Sequence, residues 1–406
     1  MRILFFIAAL QIAASLSAQT RYLDSLFAVE KSTDILYGSN LNYDGTSEDL
    51  FLDVYQPTDD TLNMRPLIIL AHGGSFLSGS KENPSMVTLC NSFAAKGYVT
   101  ASINYRLGVN FFEVIAGNGE EEFSYATLRG THDLRAAIRF FRKDVADGDN
   151  TYGIDTSMII AGGSSAGGFM ALHAAYLDRL EEIPEEITNI EELGGIEGNS
   201  GNDGYSSEID MAVNLCGAIG DTAWIEQGDT SLVSMHGTED QTVPYGTGDV
   251  ELFDVPVGEV NGSGVIEEKT NASGVAHDFY PFYGADHVPY DPIAGDTEHE
   301  AYMDTTINFV KTSLYNKFFG QVTSTEPPAI SELFNVYPNP VRGERIWISA
   351  DPEQVEEIVV TNLKGITIQR IQQVKHKQVL HLEPGFYLFN IITDENRMHS
   401  RKVIVY

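Results

Sequence analysis

Four short runs, each largely apolar on both faces of a strand, constrain the fold of this chain most strongly. They are PLIILAHGG (66–74), SMIIAGG (157–163), MAVNLCGAI (211–219) and SLVSMHG (231–237), and glycine stands at or near the end of each. A strand that is apolar on both faces must be covered on both faces, as the strands of parallel sheets are. The sequence therefore predicts an α/β fold, with a mostly parallel sheet covered by helices on both faces.

Helical spacing of apolar residues separates these runs and supports the same prediction. Helices are expected at 85–97, 131–148, 263–274 and 297–319, and a further helix should follow residue 165. The second of these is expected to begin at Thr131, because threonine is a favourable N-cap. Additional strands are expected at 49–57, 98–107 and 278–284.

Two acidic segments, 108–130 and 181–208, interrupt the alternation of strands and helices. Both are expected to be loop-rich insertions. Loops of this length in a compact domain are usually functional or mobile, so the insertions are expected to shape a pocket.

The first 18 residues, MRILFFIAALQIAASLSA, combine an early arginine, an apolar stretch and small residues at the end. This pattern is typical of a secretory signal peptide, and a buried N-terminal helix is the less favoured alternative. The apolar stretch is shorter than a membrane-spanning helix needs. We therefore expect an exported chain whose mature form has no membrane span.

The composition changes after residue 321, which predicts a second domain. The segment 321–332 is polar and contains Pro327 and Pro328, as a linker would. Short alternating runs broken by glycine, proline and asparagine follow. The predicted organisation is a signal peptide (1–18), an α/β domain (19–321), a linker (322–331) and a small all-β, sandwich-like domain (332–406).

Charge and cysteine content exclude some classes of protein. The 406-residue chain has a formal net charge of −33, which disfavours binding to nucleic acid or to anionic membrane surfaces. Its only two cysteines, Cys90 and Cys216, lie in apolar contexts. We expect both to be buried thiols, because two cysteines do not make a disulfide framework.

The segment IIAGGSSAGGFM (159–170) carries the strongest chemical signal. An apolar strand, then Gly-x-Ser-x-Gly, then a helix is the context of a nucleophile elbow, a sharp turn whose flanking positions need glycine. Gly163 and Gly167 flank Ser165 in this frame, whereas the frame centred on Ser164 has an alanine on one side. Ser165 is therefore the candidate nucleophile. The alternative is a glycine-rich connection without chemistry, and no phosphate-binding pattern is present.

An activated serine needs a base and an orienting acid, which follow it in the order acid and then histidine in this arrangement. Ligands bind beyond the carboxyl ends of parallel strands, so both residues are sought there. Glu239 and Asp240 follow one late strand, and His287 follows the last. Among the ten histidines, only His287 is late, strand-terminal and in a loop.

The segment AHGGSF (71–76) ends an early strand, where small residues leave backbone N–H groups open to a developing oxyanion. A further N–H is expected from Ala166, directly after the candidate nucleophile. The alternative for this segment is an ordinary tight turn without a catalytic role. No metal and no cofactor are required by this set of residues.

With these motifs in place, residues from about 30 to 320 resemble an α/β-hydrolase of the esterase and lipase type. The motifs are HGGSF (72–76), GSSAG (163–167), HGTEDQTVP (236–244) and GADH (284–287). The chain is most similar to secreted carboxylesterases of the feruloyl- and acetylxylan-esterase-like group. The resemblance implies Ser165 as nucleophile, Asp240 as acid and His287 as base.

The same resemblance implies oxyanion donors at Gly74, Ser75 and Ala166. One departure from the family pattern is that a third glycine is common at the position of Ser75. The backbone N–H is retained there, so the departure bears on pocket shape more than on catalysis.

Residues 332–406 resemble the C-terminal sorting domain of the Bacteroidetes type IX secretion system, through VYPNP (336–340), GFYLFNI (385–391) and RKVIVY (401–406). This resemblance implies the type IX machinery as a partner and a secreted or cell-surface location. An appended carbohydrate-binding β-module is the alternative, since fold alone does not settle function.

The sequence thus predicts a secreted serine hydrolase that cleaves carboxylic esters, with small or plant-polysaccharide-linked acyl groups. Two alternatives remain open. The same triad could cleave amides, as a peptidase does, or the chain could be a non-catalytic adhesin or binding protein on a decayed hydrolase fold. A complete Ser–Asp–His set disfavours the second alternative.

Overall fold

The computed structural model describes residues 20–292, 298–320, 334–337, 345–350, 355–362, 367–372, 374–375, 377–393 and 398–405. The predicted signal peptide (1–18) and linker (322–331) lie outside these residues. The boundaries predicted between the domains lie there as well, so all of them stay predictions.

The strands of the first part of the chain are β1 (Val29–Leu41), β2 (Ser47–Pro57), β3 (Arg65–Ala71), β4 (Val99–Ile103), β5 (Ile154–Ser164), β6 (Met211–Leu215), β7 (Ser231–Gly237), β8 (Thr247–Leu252), β9 (Val255–Asn261) and β10 (His277–Phe282). The helices are α1 (Pro84–Ala94), α2 (Phe111–Glu113), α3 (Gly119–Ala146), α4 (Ala166–Tyr176), α5 (Ser263–Ser273) and α6 (Glu298–Phe319). A π-helical turn (Val114–Asn118) joins α2 to α3, and short 3₁₀ turns lie at Leu180–Glu182 and Thr222–Trp224.

Eight of these strands form one sheet in the order β1-β2-β4-β3-β5-β6-β7-β10. The pairs β1–β2 and β2–β4 are antiparallel, and every pair from β4 to β10 is parallel. The central strands β3, β4, β6 and β7 are buried at every residue. The predicted mostly parallel sheet is therefore confirmed.

Helices cover both faces of this sheet, as predicted. On one face, α3 packs Leu134, Ile138 and Phe141 onto the core, and α4 lies beside it. On the other face, α1 and α6 contact each other and bury residues such as Leu89 and Leu314 in a second cluster. The sheet is thus sandwiched between two apolar layers, which holds the carboxyl ends of its parallel strands in fixed positions.

The prediction that a helix begins at Thr131 is wrong. Helix α3 begins at Gly119, and Thr131 lies inside it, where its Oγ1 bonds to the carbonyl of Thr127 at 2.8 Å. Much of the predicted loop 108–130 is therefore helical. At Gly130, which lies inside α3, a Cβ would lie 3.0 Å from Met170 Sδ and 3.2 Å from Phe76 Cε1. This glycine lets α3 approach α4 closely.

The predicted loop-rich character of 181–208 is confirmed, and this segment is held down by buried polar contacts. Arg106, in the loop after β4, pairs with Asp133 of α3 at 2.7 Å, and both side chains are buried. Ser200 of the insertion donates to Asp133 Oδ1 at 2.7 Å and accepts from Arg106 Nη2 at 3.1 Å. Arg139 adds a bond to the carbonyl of Glu197 at 2.8 Å. The insertion is therefore anchored to α3 along its length.

Two elements were not predicted from the sequence. Strand β1 pairs along β2 at the edge of the sheet, with irregularities in register between Ser32 and Ile35 and between Leu36 and Gly38. Strands β8 and β9 form a separate antiparallel hairpin between β7 and α5. The hairpin places Val257 and Val260 in the core beside α3.

The C-terminal part is all-β, as predicted. Its strands are β11 (Phe334–Tyr337), β12 (Arg345–Ala350), β13 (Val355–Asn362), β14 (Thr367–Ile371), β15 (Lys377–His381), β16 (Gly385–Thr393) and β17 (Met398–Val405). They form antiparallel sheets in the orders β11-β12-β15 and β14-β13-β16-β17, which share one apolar cluster. This two-sheet packing confirms the sandwich-like prediction.

Both cysteines are buried and unpaired, as predicted. Burial raises the pKa of each thiol to about 12. Across the part of the chain that the structure describes, no helix is both long enough and apolar enough to cross a membrane.

Candidate active site

Ser165 lies at the sharp turn between β5 and α4, with φ 53° and ψ −117°. Non-glycine residues rarely adopt positive φ, so the surrounding structure must hold this strained conformation. A Cβ on Gly163 would lie 2.5 Å from Ala71 O, and a Cβ on Gly167 would overlap the same carbonyl group. The two flanking glycines are therefore required by the close approach of β3, as the elbow frame predicts.

The two adjacent serines have different partners. Ser165 Oγ lies 2.9 Å from Nε2 of His287. Ser164 Oγ lies 2.7 Å from the phenolic oxygen of Tyr290, and both residues are buried. The geometry thus separates the serine that faces a base from the one engaged in the core.

His287 lies in the loop after β10 and contacts the loop after β7. Its Nδ1 is 2.7 Å from Oδ2 of Asp240. Since a carboxylate accepts, Nδ1 carries the proton in this pair and Nε2 is left to accept from Ser165. The structure therefore brings Ser165, His287 and Asp240 into one hydrogen-bonded chain. Glu239, the other acid considered at this position, is exposed.

Asp240 is held by more than one histidine. Its Oδ2 also lies 3.2 Å from Nε2 of the fully buried His236, and its Oδ1 accepts the N–H groups of Thr242 and Val243 at 2.9 and 2.8 Å. Burial alone would raise the pKa of Asp240. Hydrogen bonds from His236 and His287 outweigh burial and hold this pKa well below its ordinary value, so the carboxylate stays charged.

The loops that carry Asp240 and His287 are joined by a second carboxylate. Asp286 Oδ1 accepts the N–H of Gln241 at 2.9 Å and that of His287 at 2.8 Å. Neither Asp286 nor Tyr290 was singled out from the sequence. No local pattern marks them, because each bonds to at least one residue more than 40 positions away.

His72, His173 and His277 lie apart from this chain of contacts, whereas His236 contacts Asp240 from its buried side. His72 packs against Tyr105 with ring centroids 4.4 Å apart. His173 is buried within α4, and His277 begins β10. His236 has a structural hydrogen bond as well, since its Nδ1 lies 2.9 Å from Ser263 Oγ.

The turn after β3 lies directly against the elbow. A Cβ on Gly73 would lie 3.1 Å from the Cβ of Ser165. Gly74 and Ser75 both have positive φ, at 118° and 55°. Because glycine adopts positive φ most easily, this backbone explains why a third glycine is common at the position of Ser75. Among the described residues, the N–H groups of Gly74, Ser75 and Ala166 donate to no backbone acceptor, so they are available to a ligand.

Two family models match the chain. Residues 52–215 match the BD-FAE family, and residues 335–406 match the secretion system C-terminal sorting domain. The second match indicates export to the cell surface or secretion. In the described part of the chain, no group of three or more His, Cys, Asp or Glu side chains is arranged to hold a metal ion.

Individual proteins give similar matches. The chain is 35% identical over 130 residues to the cAMP-regulated D2 protein of Dictyostelium discoideum, an alignment that covers 31% of this chain and 21% of that protein. It is 33% identical over 147 residues to carboxylesterase 3B of Mus musculus, an alignment that covers 35% of this chain and 24% of that protein. The chain thus spans less than a quarter of the length of either.

A similar fold is seen in the structure of Thermogutta terrifontis esterase 2 phosphonylated by cyclosarin. The TM-score is 0.50 and the identity 20%, over 72% of this chain and 96% of that one. At this identity the likeness shows the fold alone.

Proposed function

Given an α/β-hydrolase domain joined to a C-terminal sorting domain, we propose that this protein is an exported serine hydrolase of carboxylic esters. The observation that carries the proposal is the hydrogen-bonded chain from Ser165 through His287 to Asp240. The type IX secretion machinery is its proposed partner during export.

In the proposed reaction, His287 Nε2 accepts the proton of Ser165 as Oγ attacks the ester carbonyl. The carbon–oxygen double bond opens, and the resulting oxyanion is bound by the N–H groups of Gly74, Ser75 and Ala166. His287 then gives its proton to the departing alcohol, and an acyl-serine remains. A water molecule, deprotonated by His287, then attacks the acyl carbon. The bond between that carbon and Ser165 Oγ breaks, His287 returns its proton to Oγ, and the acid is released.

Asp240 has an orienting role in this scheme. Its carboxylate accepts from His287 Nδ1, which fixes the tautomer whose Nε2 can act as base, and it stabilises the imidazolium that forms. The low pKa of Asp240 supports the role, because the carboxylate remains charged at neutral pH. His236 supports the same charge from the buried side.

Paired serine variants test the proposal. With a short-chain p-nitrophenyl ester as substrate, we expect Ser165→Ala to lower kcat/KM by at least about 10⁴-fold. Ser164→Ala is the matched control and should stay within about tenfold of wild type, because its hydroxyl faces Tyr290. Equal activity of wild type and Ser165→Ala would refute the proposed nucleophile.

The proposed substrates are small acyl esters or acyl groups linked to plant polysaccharides. A panel of short acyl esters, acetylated xylan and feruloyl esters distinguishes these. Each ester is to be assayed beside its matching amide, because the triad geometry is common to esterases and amidases.

A further inference from the structure

A cavity of about 350 Å³ lies beside α4. Phe169 and His173 of this helix form one wall, and Ser165 is its N-cap. Phe169 follows Ser165 by four residues, which is about 6 Å along a helix axis. None of Ser165, Asp240 and His287 lines the cavity. The cavity therefore lies next to the reacting side chains without being lined by them.

Aromatic rings form much of the cavity wall. Phe123 of α3 packs edge-on against Phe169 with centroids 5.7 Å apart, and Trp224 packs edge-on against His173 at 5.2 Å. Phe169 also contacts Phe76, at 6.4 Å, which follows Ser75 directly. The aromatic surface thus runs from the turn beside Ser165 into the cavity, and it suits a ligand with an apolar or aromatic body.

His173 presents an unpartnered acceptor to this cavity. Its side chain is more than nine-tenths buried, and its Nδ1 lies 2.7 Å from the carbonyl oxygen of Phe169. A carbonyl can only accept, so Nδ1 carries the proton and Nε2 has a free lone pair. Nε2 has no hydrogen-bond partner among the described residues. Burial lowers the pKa of His173 to about 4, so the ring is neutral at neutral pH.

A second polar side chain lies in the same wall. Thr127 of α3 lines the cavity, and within the described structure its Oγ1 is buried with no hydrogen-bond partner. Buried polar groups normally have partners, so the unpaired Thr127 hydroxyl marks this wall as polar, and the free lone pair of His173 Nε2 is the acceptor that calls for a ligand that donates a hydrogen bond.

The mouth of the cavity is negatively charged. The exposed acidic residues that line it are Glu120, Glu181, Glu185, Asp221 and Glu259. Glu182, by contrast, is buried and paired with Arg179. Neither lysine nor arginine is among the described residues that line the cavity, and Arg135 bonds to the carbonyls of His173 and Leu177 without lining it. The rim therefore attracts cations and repels anions.

We propose that this cavity binds an organic ammonium group attached to an apolar or aromatic body. The ammonium N–H groups satisfy the acceptor of His173, the rim carboxylates balance the charge, and the aromatic wall holds the body and the cation. A neutral alcohol uses only two of these features. A carboxylate lacks the donor and is repelled at the mouth.

The test compares three probes of similar shape by isothermal titration calorimetry: 2-phenylethylammonium, 2-phenylethanol and phenylacetate. The full chain and its Ser165→Ala variant are both used, so that binding is measured independently of hydrolysis. We expect the ammonium to bind most tightly, the alcohol at least about fivefold more weakly, and phenylacetate not measurably. Equal affinity for the three probes, or no binding of the ammonium, would overturn the proposal.

Two further variants identify the groups responsible. We expect His173→Leu to weaken ammonium binding by about tenfold. If that variant does not fold, the exposed double variant Glu185→Gln/Glu259→Gln tests the rim: it should weaken the ammonium severalfold and leave 2-phenylethanol unchanged. Glu30→Gln, an exposed acid on β1, is the control and should change neither. Loss of ammonium affinity in Glu30→Gln equal to that in the rim variant would contradict the site.

Discussion

The hydroxyl of Ser164 lies 2.7 Å from the phenolic oxygen of Tyr290, which stands three residues beyond His287. Tyr290 also donates to the carbonyl of Leu215 at 3.3 Å, and the same carbonyl accepts the N–H of Ser165 at 2.8 Å. The turn that carries the candidate nucleophile and the loop that carries the candidate base are therefore joined behind the site. Tyr290 is a positioning residue in this arrangement, because it contacts neither reacting atom.

We expect Tyr290→Phe to lower the free energy of unfolding by about 1 kcal/mol, the usual net value of a lost hydrogen bond. Since Ser164 and Tyr290 share the bond, the effects of Ser164→Ala and Tyr290→Phe should not add in a double-mutant cycle. Chemical denaturation of wild type, the two single variants and the double variant measures this coupling. In steady-state assays, the kcat of Tyr290→Phe should fall while its KM stays unchanged. Additive losses would exclude the coupling.

Asp240→Asn tests the orienting carboxylate. The amide can donate to His287 Nδ1 and so favours the tautomer that cannot act as base. We expect kcat to fall by about 10³- to 10⁴-fold. Glu239→Gln is the matched control, because that side chain is adjacent and exposed, and its steady-state kinetics should match wild type. A small loss in Asp240→Asn would assign the orienting role elsewhere.

Stability should decrease as the pH falls from about 6.5 to 5.5. Burial lowers the pKa of His132 to about 3 and those of His173 and His277 to about 4, whereas unfolded histidines titrate near 6.5. In this window the unfolded chain binds more protons, so acid favours unfolding. Each such histidine contributes up to about 1.4 kcal/mol per pH unit. Urea unfolding at several pH values measures the slope.

A histidine variant isolates one contribution to that slope. His277→Gln removes one buried imidazole, so its unfolding free energy should change less steeply between pH 6.5 and 5.5 than that of wild type. An unchanged slope would show that His277 titrates alike in the folded and unfolded states. The low pKa of Asp240 adds a further loss only below about pH 4, because there the unfolded carboxylate binds a proton while the folded one is still charged.

Asp133→Asn should destabilise the protein by about 3–5 kcal/mol, because it leaves the buried guanidinium of Arg106 without its partner. Glu197→Gln is the control. It removes a half-exposed partner of Arg139 and should cost at most about 1 kcal/mol. Urea unfolding gives both values. Limited proteolysis should cleave the segment 194–202 faster in Asp133→Asn, and equal cleavage in both variants would argue against the anchoring role.

The sequence predicted the sheet and the elbow because their signals are local. A strand that is apolar on both faces can be recognised within a dozen residues of sequence. The same is true of the glycines that stand two positions before and after Ser165. The order of the strands was enough to place His287 and the pair Glu239 and Asp240, since the carboxyl ends of parallel strands meet at one edge, but the choice of Asp240 came from the family resemblance.

What could not be predicted depends on contacts between distant segments. Gly130 lies inside helix α3, at the end of a segment that was predicted to be loop-rich. Its role depends on Met170 and Phe76, which the helix period cannot reveal. The hairpin β8–β9 has short, acidic strands that bury only Val250, Leu252, Val257 and Val260, too few for a clear alternating pattern. Tyr290 acts on Ser164 across 126 positions.

Strand β1 does more than extend the sheet. The N–H of Ser39 bonds to the carbonyl of Ser200 at 3.0 Å, and Asn202 reaches back to the carbonyl of Tyr37 at 2.7 Å. A protein shortened at its N-terminal side as far as Asn42 would therefore lose one strand. It would also lose the hydrogen bonds that hold the segment 181–208 against that strand. Proteolytic trimming there would loosen a segment that lies some 160 residues later in the chain. The N-terminal limit of a functional fragment is thus set by that distant loop.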